Sequence, residues 1–107
     1  MNYDGIIKLV QENNIPDILV LGCVGNSVKS YRIIKLNFTR QEWAHQGNIA
    51  LEYLFETEGV VYSHIDFDKK FLVLKQYGEM DVNENTFIPN YVIRESKDIL
   101  KKCFQMS

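Results

Sequence analysis

The chain has 107 residues, 46% apolar and 12% aromatic, with a net charge of −2. That length makes one globular domain, 1–107, able to bury a core without disulfide or metal staples, and the composition excludes wholesale disorder. The mild negative charge lacks the basic footprint of a nucleic-acid binder, and the longest apolar run, Ile18–Val24, is far too short to span a bilayer.

Taken in chain order, Ile6, Ile7, Leu9 and Val10 recur at helical spacing, with Asp4 placed to cap the start. Asn13-Asn14-Ile15-Pro16 breaks that helix, because proline cannot continue it. Ile18–Val24 is short, apolar and partly β-branched, so it reads as a buried strand. Gly25-Asn26 is a turn signal, and Val28–Asn37 supplies the second strand of a hairpin. Thr39-Arg40-Gln41-Glu42 has the form of a capping box. Trp43, Gly47, Ala50 and Leu54 follow on one stripe, with Leu51 and Phe55 beside it and Gly59 as the C-terminal stop. His45, Asn48, Glu52 and Glu56 fall on the outward face.

A second hairpin is expected from Val60–Phe67 and Phe71–Tyr77, with Asp66 opposite Phe71 and His64 opposite Val73. That register puts Val61, Ile65, Phe67, Leu72 and Leu74 on a core side. It puts Tyr62, His64, Asp66, Phe71, Val73, Lys75 and Tyr77 on the other, a face too polar for a dry core and too aromatic for plain solvent. Gly78–Asn90 reads as a long acidic loop, with a short strand possible at Thr86-Phe87-Ile88. Connections of about a dozen residues are uncommon without a task. Val92, Ile93, Ile99, Leu100, Cys103 and Phe104 then mark a terminal helix, with Lys101 and Lys102 favouring its dipole. The expected order is α-β-β-α-β-β-α: an α+β fold, with an antiparallel sheet built from two hairpins and three helices.

Charge is segregated. Between Glu42 and Glu84 lie nine carboxylates against three lysines, a local net of −6, while the flanks are basic. Clustered like charge repels itself, so a steering or docking role for Glu79, Asp81 and Glu84 is the functional reading. Tyr62 and Tyr77 are of the residue type that anchors interfaces. Simple solvation accounts equally for Glu52 and Glu56.

Catalytic chemistry is not expected. Cys23 and Cys103 sit in apolar stretches, as buried thiols in a reducing cytosol would. No glycine elbow marks a serine nucleophile. Gly22 and Gly25 precede no P-loop lysine. His64 and Asp66 share a strand face, and His45 would have to join them to hold a metal. The residues Met1–Gly5 lack the regions of a secretory leader, so a cytoplasmic protein is expected.

A small acidic α+β domain without a catalytic set resembles the immunity proteins of bacterial contact-dependent growth inhibition and other polymorphic toxin systems. The acidic block Glu42–Glu84, the aromatic Tyr62/Tyr77 face and the acidic Gly78–Asn90 segment carry the resemblance, which lies in the character of the chain and in no shared motif. It implies one-to-one binding to a cognate toxin, often a basic nuclease domain, with carboxylates imitating phosphate. The expected partner-binding residues are Tyr62, His64, Asp66, Lys75, Tyr77, Glu79, Asp81 and Glu84. No cofactor, metal, nucleic acid or membrane is expected as a partner. The alternatives are a regulatory, adaptor or phage-type inhibitor domain for another basic protein, and a small metal-dependent hydrolase using His64 and Asp66.

Overall fold

The two most apolar segments, β1 (Asp17–Val24) and β4 (Phe71–Asp81), lie side by side and parallel at the centre of a five-stranded sheet. The computed structural model describes residues 2–105, with side chains through residue 102. Each central strand carries a hairpin partner outward. β2 (Ser27–Ile34) runs antiparallel to β1 and β3 (Val61–Asp66) antiparallel to β4, in the order β2-β1-β4-β3. The sheet is therefore mixed, where two hairpins alone suggested a purely antiparallel one. Hairpin chemistry fixes pairing within each hairpin and leaves their junction open. Placing both Leu/Val-rich strands inside gives each a neighbour on both sides, and the two then point the same way.

The expected long acidic loop does not exist. β4 continues through Asp81, turns over residues 82–85 and pairs back with β5 (Thr86–Pro89). The same turn closes the β3–β4 and β4–β5 hairpins. Asp66 Oδ1 accepts from the backbone N–H of Asp68 and Lys69, at 3.1 and 2.9 Å. Asp81 Oδ1 does so from Asn83 and Glu84, at 3.0 and 3.4 Å. Aspartate bonding its own backbone two residues on is the local interaction that starts such a turn. Each turn closes on a left-handed residue, Lys70 (φ 61°) and Asn85 (φ 53°).

Three helices complete the chain: α1 (Asp4–Glu12), α2 (Arg40–Glu52) and α3 (Asn90–Gln105). The N-cap position of α1 is Tyr3, not Asp4, which is its first helical residue. Tyr3 is buried, and its hydroxyl donates to Glu56 at 2.8 Å, so tertiary anchoring sets this start in place of a side-chain cap. The capping box on α2 is present as expected: Thr39 Oγ1 accepts from Glu42 N–H at 3.2 Å, and Glu42 Oε1 accepts from Thr39 N–H at 3.1 Å. Beyond Glu52 the helix widens into a π-helical turn, Tyr53–Thr57, that ends ahead of Gly59 at φ 70°.

One core joins α1, α2 and a single face of the sheet. Ile7 and Val10 meet Trp43, Leu51 and Leu54, which cover Ile18, Val20, Ile65, Leu72 and Leu74. Trp43 stacks edge-on against Phe38 and donates its indole N–H to the Ile15 carbonyl, so its one polar atom is satisfied. Fully burying such side chains is worth about 1.5–3 kcal/mol each. Cys23 is buried as expected; the side chains of Cys103 and Phe104 lie outside the described residues.

The β3–β4 register agrees with the sequence as far as His64↔Val73 and then shifts by one at Ser63. That bulge pairs Tyr62 with Leu74, on the helix side, and Val61 with Lys75 on the opposite face. Val61 and Tyr62 thus exchange their expected faces. Phe67, also expected in the core, lies in the turn and is exposed. An extra residue in one strand flips every side chain beyond it.

Candidate functional site

The face of the sheet opposite the helices is open. Cross-strand pairing orders it in rows: Val28, Cys23 and Tyr77; then Tyr31, Leu21, Lys75 and Val61; then Ile33, Leu19, Val73 and His64; and last Phe71 with Asp66. Tyr31 is 72% exposed, Val28 55%, and Ile33 and Tyr77 42% each, whereas Val73 and Cys23 on the central strands of the same face are buried at 2% and 3%; the helix-side residues Ile18, Leu72 and Leu74 are at 0%. Leu19, Leu21, Tyr31, Ile33, Phe71 and neighbours line a shallow depression of about 370 Å³ on this face. A contiguous apolar patch of that kind, rimmed by polar groups, marks an interaction surface on a folded domain.

Four of the expected partner-binding residues meet here: His64, Asp66, Lys75 and Tyr77. Glu79 and Asp81 follow Tyr77 at alternate positions on β4, and Glu84 sits in the turn beyond. Tyr62 does not join them, because of the Ser63 bulge. Tyr31, Ile33, Val28, Leu19 and Leu21, contributed by the first hairpin, are the residues missed. Their signal was present: Val28, Tyr31 and Ile33 are apolar positions set among Ser27, Lys29, Ser30 and Arg32.

The acidic block divides by what each carboxylate touches. Glu42 caps α2, Asp66 and Asp81 cap turns, and Glu56 accepts the Tyr3 hydroxyl. Glu58 is buried at 8% exposure, ion-paired to Arg32, with the Gln76 amide donating to its backbone carbonyl at 2.9 Å. The π-helical turn delivers Glu58 there: its N–H bonds back five residues to the Tyr53 carbonyl, which swings the chain toward the sheet. Five of the nine carboxylates are thus bound into the fold, and fewer remain for a partner than the sequence suggested.

Two tyrosines titrate high. Burial, and then the Glu56 carboxylate that accepts its hydroxyl, push Tyr3 up to about 12. Burial, and then the nearby negative charge of Glu58, also raise Tyr91. Both lie on the helix side of the sheet.

The candidate metal residues do not converge. His45 bonds the Gln41 carbonyl on α2, His64 Nδ1 meets Ser63 Oγ at 2.8 Å, and Asp66 is occupied by its turn. Among the described residues no three His, Cys, Asp or Glu side chains gather as a metal site needs. Among them too, no helix is long and apolar enough to cross a membrane. No protein-family model, curated protein or solved structure matches the chain.

Proposed function

We propose that this chain is a binding protein that inhibits a cognate toxin domain by docking it on the open sheet face, in the manner of an immunity protein. The observation that carries this reading is an apolar and aromatic sheet face that no helix among the described residues covers, with Tyr31 at 72% exposure on its edge strand β2. Tyrosine and aliphatic side chains on a rigid sheet supply contact area at low entropic cost, as interface anchors do. Glu79 and Glu84 stand toward one end, where they would steer a basic partner and set its orientation more than its affinity. The face thus supports apolar anchoring first and charge second, the reverse of the order that the acidic composition alone implied.

The test is growth rescue. The wild-type chain, co-expressed with a toxic basic nuclease domain encoded beside it, restores growth. Ile33→Asp and Tyr31→Asp abolish rescue while melting at the wild-type temperature. Full rescue by both variants would remove the open face from the interface, and absence of rescue by the wild type would remove the toxin reading.

A further inference from the structure

We propose that the pocket beside Phe87, on the helix side of the sheet, binds a small neutral cyclic amide: a flat ring with an N–H donor next to a carbonyl acceptor. Cross-strand pairing aligns Ser30, Gly22 and Gln76 in one row on this side, next to the row Arg32, Val20 and Leu74. From β5, Phe87 and Pro89 reach this row and wall the pocket. A Cβ on Gly22 would meet Ser30 Oγ and come within 2.7 Å of the Phe87 ring, so glycine lets both lean inward. The space enclosed is about 200 Å³. It lies across the sheet from the face proposed to dock a partner.

A buried acceptor opens into this pocket. Gln76 is 3% exposed, and its amide nitrogen donates to the Glu58 carbonyl at 2.9 Å and to Glu58 Oε1 at 3.4 Å. Two acceptors on that side fix the orientation of the amide and turn its own oxygen away from Glu58. That oxygen accepts no hydrogen bond among the described residues. It is not sealed in the core either, because no enclosed side-chain nitrogen or oxygen among them lacks a partner. It therefore faces the pocket that Gln76 lines, and a buried acceptor of this kind calls for a donor. Ser30 Oγ likewise has no partner among the described residues, and Arg32 spends one terminal nitrogen on Glu58.

These groups define the chemistry of the ligand. The Gln76 oxygen requires a donor, while the Ser30 hydroxyl and the remaining Arg32 N–H groups offer donors to an acceptor. Charge favours a neutral molecule. Arg32 is already neutralised by Glu58, so an anion would compete with a buried carboxylate, and no carboxylate lines the pocket to hold a cation. The Phe87 ring and Pro89 present apolar surface to a flat body. Sites for drug-sized molecules run to ~300–1,000 Å³, so this smaller one suits a single ring. A pyrimidinedione such as uracil carries the required edge, with a ring N–H beside each carbonyl.

NMR titration of the nitrogen-labelled chain with uracil tests this. Saturable shifts are expected at the Gly22 and Ser30 amides and the Gln76 side-chain amide, with a Kd of about 1 mM or tighter. Uracil methylated on both ring nitrogens keeps the ring, loses the donors and binds at least about tenfold more weakly. Ser30→Ala weakens uracil binding about threefold or more at unchanged melting temperature. Gln76→Leu removes the acceptor and abolishes the response; the methylated ligand reports on the same bond in the unaltered fold. Ile33→Asp, on the opposite face, binds uracil as wild type, so this pocket and the docking face fail separately. Absence of saturable shifts at Gly22 and Gln76, equal binding of the dimethylated ring, or tighter binding of benzoate than of uracil overturns the proposal.

Discussion

The two faces of the sheet are built from similar residues and end in opposite states. On the helix side, Ile18, Val20, Leu72 and Leu74 are closed over by Trp43, Leu51 and Leu54. On the other, Leu19, Leu21, Ile33 and Phe71 meet no helix among the described residues, although strand alternation makes them nearly as apolar. The contrast teaches that hydrophobicity on β1 and β4 serves two ends. One set of alternate positions stabilises the fold, and the other leaves a rigid apolar surface for something outside it.

Aromatic-to-alanine substitutions on the two sides of the sheet should break that symmetry. Trp43→Ala removes a fully buried ring and its bond to Ile15, and should destabilise by about 3–5 kcal/mol in urea unfolding. Tyr31→Ala on the open face should stay within about 0.5 kcal/mol of wild type. Comparable losses at both sites would mean that the open face is covered in solution.

Gly78→Ala comes next. A Cβ there would meet the Ile88 carbonyl and lie 2.8 Å from the Phe87 ring, which also fills the space over Gly22. Overpacking of this kind typically costs about 1–3 kcal/mol. Thermal denaturation with a lowered midpoint, and wild-type partner binding at saturation, would confirm that the β4–β5 hairpin is braced from the helix side. Glu58→Ala strips the partner from Arg32 and a carboxylate from the Gln76 cluster. Arg32 remains half-exposed and hydrated, so the expected loss is about 1–2 kcal/mol, below that of a fully buried pair. Glu58→Gln should recover part of it. Asp81→Ala removes the hydrogen bonds that start the β4–β5 turn and should cost about 0.5–1 kcal/mol, readable as faster amide exchange at Asn83 and Glu84.

Proton linkage sharpens the same comparison. Tyr3 has a folded-state pKa raised to about 12, above its unfolded value of about 10. Its contribution is therefore complete below pH ~10 and is lost as pH rises through ~12. Stability should fall across that window, and Tyr3→Phe should flatten its share of the fall. An unchanged alkaline profile in that variant would place the titrating group elsewhere, Tyr91 being the other candidate on the helix side.

Where local chemistry decides structure, the sequence was legible. Thr39 and Glu42 announced α2, Gly25-Asn26 the first turn, and Asp66↔Phe71 the register of the second hairpin. The misses arose where tertiary context decides. Nothing local announces the Ser63 bulge that exchanges Val61 and Tyr62. Nothing local joins β1 to β4 in parallel, and the carboxylates of 78–84 disguised a strand and a turn as a loop. The candidate site was half legible for the same reason. His64, Asp66, Lys75 and Tyr77 share a face by alternation within one hairpin, whereas Tyr31 and Ile33 reach it only through the β1–β4 pairing.

The docking role of the open face is tested most directly by calorimetric titration of the adjacent-encoded toxin domain into wild type, Ile33→Asp and, as the helix-side control, Ile49→Glu. The expected result is at least about a hundredfold loss of affinity, about 2.7 kcal/mol, for Ile33→Asp at unchanged melting temperature, with Ile49→Glu binding as wild type. Wild-type affinity in Ile33→Asp would contradict the account.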